Sequence, residues 1–156
     1  AAAWGMNGTN LSGVDSNGGI TKAEFERMGF DSTTHYQFAH FTNMNRDYLE
    51  ILEDVKRQYE TIEKNYTKMI YFPHASIGWD NNPRFRHYTE YFARNNTPEN
   101  FEKALRMAKD YLDRHPEQPK LVTLNSWNEW TETSYLEPDD LYGYGYLDAV
   151  KRVFGE

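Results

Sequence analysis

Cysteine is absent from the 156 residues, which excludes disulfides and thiolate metal sites and leaves the compartment open. No apolar run approaches the ~18 residues of a membrane-spanning helix. There is no basic stripe either: 17 Lys and Arg stand against 24 Asp and Glu, a formal charge of -7, so a nucleic-acid partner is not expected and neutral or cationic substrates fit better. No Gly-x-Gly-x-x-Gly follows any apolar run, which removes the usual dinucleotide signature. The opening Ala1-Ala2-Ala3-Trp4-Gly5 has no initiator Met and no basic region followed by a long apolar stretch, so it reads as the interior of a longer chain rather than a signal peptide.

Aromatic residues, in contrast, make up 16% of the chain, with twelve Tyr. Tyr and Trp combine a flat apolar face with a polar tip, which suits stacking on sugar rings, although the same rings also pack under loops. Short apolar runs alternate with helical patterns. Ala1 to Trp4 is the first run; Phe30 to Tyr36, Lys68 to Phe72 and Leu121 to Leu124 are the others, the third stopped by Pro73. A short helix is predicted over Thr21 to Met28, ended by Gly29. Tyr48, Leu52, Val55, Tyr59, Ile62 and Tyr66 recur at steps of four and three, which predicts a long helix over Arg46 to Tyr66. Thr97-Pro98-Glu99 reads as N-cap, first-turn Pro and first-turn acid of a helix carrying Phe101, Leu105, Ala108 and Leu112. A final helix covers Tyr146 to Phe154.

The resulting order, βαβαβαβα, requires crossovers and a parallel sheet. A doubly wound sheet and part of an eightfold barrel both satisfy it. Either way, the loops leaving the third and fourth runs, His74 to Arg86 and Asn125 to Gly145, lie at the carboxyl ends of strands, where such folds place their sites.

The second of these loops contains Trp127-Asn128-Glu129-Trp130-Thr131-Glu132. Two carboxylates three residues apart, brought into one cleft by a turn, match the needs of glycosidic bond cleavage: one protonates the leaving oxygen, the other works across the ring. Neighbouring Trp rings can desolvate one carboxyl and keep it protonated, and Asn128 can bind a sugar hydroxyl. The same acids can equally begin a solvated loop and cap the next helix. In Gly78-Trp79-Asp80-Asn81-Asn82-Pro83-Arg84, Trp79 offers a stacking face, and Asp80 and Arg84 either bind hydroxyls or pair with each other. Tyr36 at the end of the second run is a candidate substrate contact, and His35 beside it is more often a structural residue than a base. Asp15 to Glu24 reproduces positions three to twelve of a calcium-binding loop, but Gly13 at position one supplies no side-chain ligand. A loop followed by a helix is the simpler account, and no metal or other cofactor is expected.

Four ordered motifs, Gly78 to Arg84, Thr97-Pro98-Glu99-Asn100-Phe101, Trp127 to Glu132 and Tyr135-Leu136-Glu137-Pro138-Asp139, resemble the WbsX-type, glycoside hydrolase family 99-like domain. The resemblance covers nearly everything from Phe30 onward. It implies a (β/α)8 TIM-type barrel of which residues 1–156 form the carboxy-terminal half, the last four βα units, since a whole barrel takes about 250 residues. It further implies action on an α-mannoside, with Glu129 deprotonating the sugar's 2-hydroxyl and Glu132 serving as acid and then base. Trp79, Asp80, Arg84, Trp127, Asn128, Trp130, Tyr135 and Tyr36 are the expected substrate contacts. Thr131 and Thr133-Ser134 depart from the hydrolase pattern, and WbsX-type relatives carry a glycosyltransferase label.

The expectation is therefore a metal-independent, endo-acting glycosidase of α-linked polysaccharide. A transferase of surface-polysaccharide assembly, or a non-catalytic sugar-binding domain, are the alternatives. The expected partners are a polysaccharide and either the other half of the barrel or a second copy.

Overall fold

The computed structural model describes residues 2–3, 27–65 and 70–155. The calcium-like stretch Asp15 to Glu24 and nearly all of the helix expected over Thr21 to Met28 lie outside them, as do Tyr66 and Lys68. The described elements are β1 (Ala2–Ala3), β2 (Ser32–Thr34), α1 (Tyr48–Asn65), β3 (Ile70–Phe72), β4 (His74–Ser76), α2 (Pro98–Arg114), β5 (Thr123–Asn125), the small strands β6 (Asn128–Glu129) and β7 (Ser134–Tyr135), and α3 (Gly145–Phe154). None of the described helices is long and apolar enough to cross a membrane.

The strand order is that of a partial parallel α/β fold. β1 pairs with β2 and β2 with β3, both parallel, with Thr33 opposite Ala3 and Tyr71. β4 pairs parallel with β5, with Ala75 opposite Leu124. Pro73 ends the third strand, as the sequence implies, and β3 stops at Phe72. Pro73 has no N–H to give, but its carbonyl still accepts from Thr123 N at 3.0 Å, and β4 carries the same line onward to Ser76. Hydrogen bonding divides the sheet into β1-β2-β3 and β4-β5, each running in chain order, as part of a barrel would.

The helices cover one face of that sheet. α1 buries Tyr48, Ile51, Leu52, Val55, Tyr59 and Ile62, each contributing about 1.5–3 kcal/mol of apolar burial. α2 starts where the sequence places it: Thr97 Oγ1 accepts from Asn100 N, Pro98 opens the helix, and Phe101, Ala104, Leu105, Ala108, Tyr111 and Leu112 face inward. α3 lies on α2, with Tyr146 edge-on to Phe101 at 5.8 Å and its hydroxyl on Asn96 O at 2.6 Å.

Much of the tyrosine content proves to be architectural. Tyr48, Tyr59, Tyr71, Tyr111 and Tyr146 are buried. Tyr59, Tyr71 and Tyr111 meet edge to face at 5.4–5.9 Å, and the Tyr59 hydroxyl bonds His74 O at 2.6 Å.

The other face of the sheet is polar. Thr34 Oγ1 lies 2.7 Å from Thr123 Oγ1, which lies 2.9 Å from His74 Nδ1, whose Nε2 lies 2.8 Å from Ser76 Oγ. Burial holds His74 well below the ordinary imidazole range and His35 at about 3, so both rings are neutral parts of the scaffold.

Candidate functional site

The two loops that leave the carboxyl ends of β4 and β5 meet, and a buried polar scaffold joins them. Gln37, just beyond β2, donates through Nε2 to Gly78 O at 3.1 Å and to Asn125 Oδ1 at 3.0 Å. Ser134 Oγ donates to Asn125 O and is 2.8 Å from Asn125 Oδ1. Asp80 N donates to Glu132 O at 2.8 Å, which ties the first loop to the second through backbone alone. At Gly78 an added Cβ would lie 2.3 Å from Asn96 Nδ2 and 2.8 Å from Thr133 O, so glycine is required by this close approach.

Within the second loop, β6 and β7 form a small antiparallel hairpin, with Asn128 opposite Tyr135 and Glu129 opposite Ser134. A 3₁₀ turn, Trp130–Glu132, followed by Thr133 in the left-handed region at φ 51°, joins them. This turn sends Glu129 and Glu132 to the same neighbour. Arg84 Nη2 donates to Glu129 Oε1 at 2.8 Å, Arg84 Nη1 pairs with Glu132 Oε1 at 2.9 Å, and Arg84 Nε donates to Thr131 Oγ1 at 2.8 Å. Thr131 Oγ1 donates in turn to Glu129 Oε1 at 2.9 Å.

The two carboxylates differ in environment. The Glu132 side chain is 8% exposed, that of Glu129 35%. Burial pushes the Glu132 carboxyl above the ordinary range, Arg84 pulls it back, and the negative charge of Glu129 raises it further. Glu132 Oε2 is buried and has no hydrogen-bond partner among the described residues.

Around the pair, Trp127 and Trp130 are 54% and 44% exposed, and Asn128 is exposed. Trp130 stacks on Tyr135 with centroids 3.8 Å apart and an interplanar angle of 17°; its Nε1 donates to Glu137 Oε2 at 2.6 Å and Tyr135 OH to Asp139 Oδ2 at 2.8 Å. Burial, with Asp139 adding to it, pushes the Tyr135 phenol up to about 12.

Three residues stand elsewhere or do other work than the sequence implied. Trp79 packs against the hydrophobic core and is only partly open. Asp80 does not pair with Arg84; its Oδ1 accepts from Asn82 N and Nδ2 at 2.8 and 2.7 Å, which holds its own loop. Tyr36 lines a different cavity of about 290 Å³ with Thr34, His35, His74, Thr123 and Leu124. Sequence reasoning also missed Gln37 and Ser134, which support the loops. Ser134 falls in a hydroxyl-rich run, but nothing local marks Gln37.

The family model described as Glycosyltransferase WbsX matches residues 6–150. A protein of Xanthomonas campestris pv. campestris, described as uncharacterized protein WxcX, is 32% identical over 82 residues, 53% of this chain and 12% of that protein, and a second strain has a like counterpart. Among solved structures, a glycoside hydrolase-like protein superimposes with a TM-score of 0.59 at 18% identity, over 81% of this chain and 38% of its own. The GH99 endo-α-mannosidase from Bacteroides thetaiotaomicron does so with a TM-score of 0.58 at 12% identity, over 99% of this chain and 45% of its own. At these identities the likeness is one of fold, and the chain spans less than half the length of both structures. The family match extends over almost the whole chain, through both loops that build the site, and the protein belongs to the WbsX glycosyltransferase family.

Proposed function

We propose that the chain forms the carboxy-terminal half of a (β/α)8 barrel that cleaves internal α-linked, mannose-type bonds of a polysaccharide without a metal. The observation that carries this reading is the contrast within one Arg84-bridged pair. Glu132 is buried, raised in pKa and has one oxygen without a partner among the described residues, whereas Glu129 is more open and sits on a guanidinium and a hydroxyl. Burial of that kind favours the protonated carboxyl that a leaving oxygen needs, and the more open carboxylate suits a base.

In this reading Glu129 takes the proton of the sugar's 2-hydroxyl as O2 bonds to the anomeric carbon, and Glu132 protonates the departing oxygen. Water then attacks the same carbon, gives its proton to Glu132, and O2 recovers its proton from Glu129. Asn128, Trp127, Trp130 and Tyr135 supply polar and stacking contacts at the rim. The sequential parallel strands and the polar face of Thr34, His74 and Thr123 support completion by the other half of a barrel, whose lumen that face would line.

The family's description favours a second reading, transfer of a sugar onto a growing surface polysaccharide. The same two acids serve it, because hydrolysis and transfer share an oxocarbenium-like transition state.

The deciding experiment is product release from a panel of α-mannans and bacterial surface polysaccharides by the full-length protein, with Glu132→Gln as control. Products from the wild type alone support the glycosidase. Incorporation of sugar only when an activated donor is added supports the transferase. Sugar binding without turnover in both proteins leaves a binding domain.

A further inference from the structure

Exposed apolar rings are not scattered over this molecule. Of the thirteen large hydrophobic residues exposed among the described ones, eight lie on the two loops that follow β4 and β5: Phe85, Tyr88 and Tyr91 on the first, Trp127, Trp130, Leu141, Tyr142 and Tyr144 on the second. Single exposed rings are ordinary, but a concentration at one end of a sheet marks a surface that binds something.

The first loop is built to hold its rings out. Residues 83–88 are all exposed. Asn82 closes the segment with a two-bond clasp, donating through Nδ2 to Thr89 O at 2.9 Å and accepting at Oδ1 from Thr89 N at 2.6 Å. Asn82 is itself fixed by Asp80, and Phe85 N bonds Asn82 O at 3.1 Å. Within the clasp, Phe85 is 54% and Tyr88 69% exposed, and Phe85 stacks on His87 with an interplanar angle of 25°. The order is fixed before any ligand arrives, so little entropy remains to be lost on binding.

Continuity with the carboxylate pair identifies the occupant. Arg84, the first residue before Phe85, reaches both Glu129 and Glu132. A chain molecule whose reacting bond lies at those acids would carry its more distant units past Arg84 and over the rings that follow it. We propose that the clasped loop 83–88 is an outlying sugar-binding subsite in which Phe85 and Tyr88 stack on pyranose rings of a long polysaccharide held for reaction at Glu129 and Glu132. This rests on the glycosidase reading and adds to it the place where the polymer is held, which favours long chains over short oligosaccharides. Arg86 and His87, exposed between the two rings, bring donors for ring hydroxyls.

The test uses the full-length protein with the Phe85→Ala/Tyr88→Ala pair and with Phe85→Trp. On α-mannan the alanine pair is expected to lose about tenfold in kcat/KM through KM, while on α-mannotetraose it stays within about twofold; Phe85→Trp, which keeps a stacking face, retains polymer activity. An equal loss on both substrates, or none on either, overturns the subsite and leaves the glycosidase standing. Should the wild type release nothing, retardation in gels containing α-mannan or the panel polysaccharides decides: retardation of the wild type that the alanine pair loses keeps the subsite while the glycosidase falls. Equal migration of both proteins in every gel overturns the subsite.

Discussion

Replacing Arg84 by Gln removes the cation that, among the described residues, bridges the two acids, and keeps a side chain of similar reach. Two of the lost contacts are charge-assisted bonds, each worth about 1.5–3 kcal/mol when enclosed. The guanidinium is 40% exposed, so solvent screening takes the combined figure to about 2 kcal/mol, roughly 30-fold in kcat/KM if the acids are held for reaction by it. The pH profile separates this from a general loss of structure. In the proposed role of acid Glu132 must be protonated, so its ionisation would set the alkaline limb of kcat/KM. Burial raises its pKa and Arg84 opposes that rise, while the Glu129 charge adds to it. Without Arg84 the proton is held to higher pH, and the alkaline limb moves up. Arg84→Lys returns a cation and brings the limb back, but lacks the fork that reaches both acids, so its rate stays low. Carbon-13 NMR of labelled Glu reads the same titration independently of turnover. A limb that stays in place or moves down in Arg84→Gln, with the NMR titration unchanged, would refute the coupling.

Three further outcomes follow from particular contacts. Thr97→Ala removes the oxygen that accepts from Asn100 N at the start of α2, and thermal unfolding should show a loss of about 1 kcal/mol. Tyr48→Phe deletes the buried hydroxyl that bonds Ser76 O and leaves that carbonyl short of a partner, for about 1–3 kcal/mol; a stability equal to the wild type in urea would contradict it. Gly78→Ala forces a Cβ against Asn96 and the Thr133 carbonyl, so the seam between the loops must open; turnover should fall much further than stability, measured as product release against melting temperature on the same preparation.

The helices were legible to within about two residues because their signals are local: apolar spacing for α1, and an N-cap, Pro and acid for α2. The strands were less so. Each has two or three residues, and tertiary pairing sets their limits; Pro73 stops β3, as the sequence implies, yet its carbonyl still joins the ladder. The geometry of the candidate site was half legible. Glu129 and Glu132 are marked by composition and spacing, but their shared partner is 45 and 48 residues away, and the nearer acid, Asp80, spends itself on Asn82. The β6–β7 hairpin has no alternating pattern to announce it, and Thr133 takes a left-handed conformation that a β-branched residue rarely adopts.

That last conformation connects the fold to the chemistry. The turn at Thr133 brings the chain back within one 3₁₀ turn of Glu129, which leaves Glu132 at its inner corner. Its carbonyl is taken by Asp80 N and its neighbour's carbonyl crowds Gly78, so the corner is pressed against the first loop by backbone rather than by a packed side chain. Burial of Glu132 is therefore a consequence of how closely two strand-end loops approach, and the same approach delivers Arg84 from the first loop to both acids of the second. Because the raised pKa makes the folded state hold the proton more tightly than the unfolded chain, stability declines as pH rises through the range in which Glu132 ionises. A group that costs stability when charged, kept at the seam of two loops with one oxygen unpartnered among the described residues, fits the proposed site, where a ligand would take up that oxygen; in a purely structural turn an apolar residue would fill the corner at no such cost.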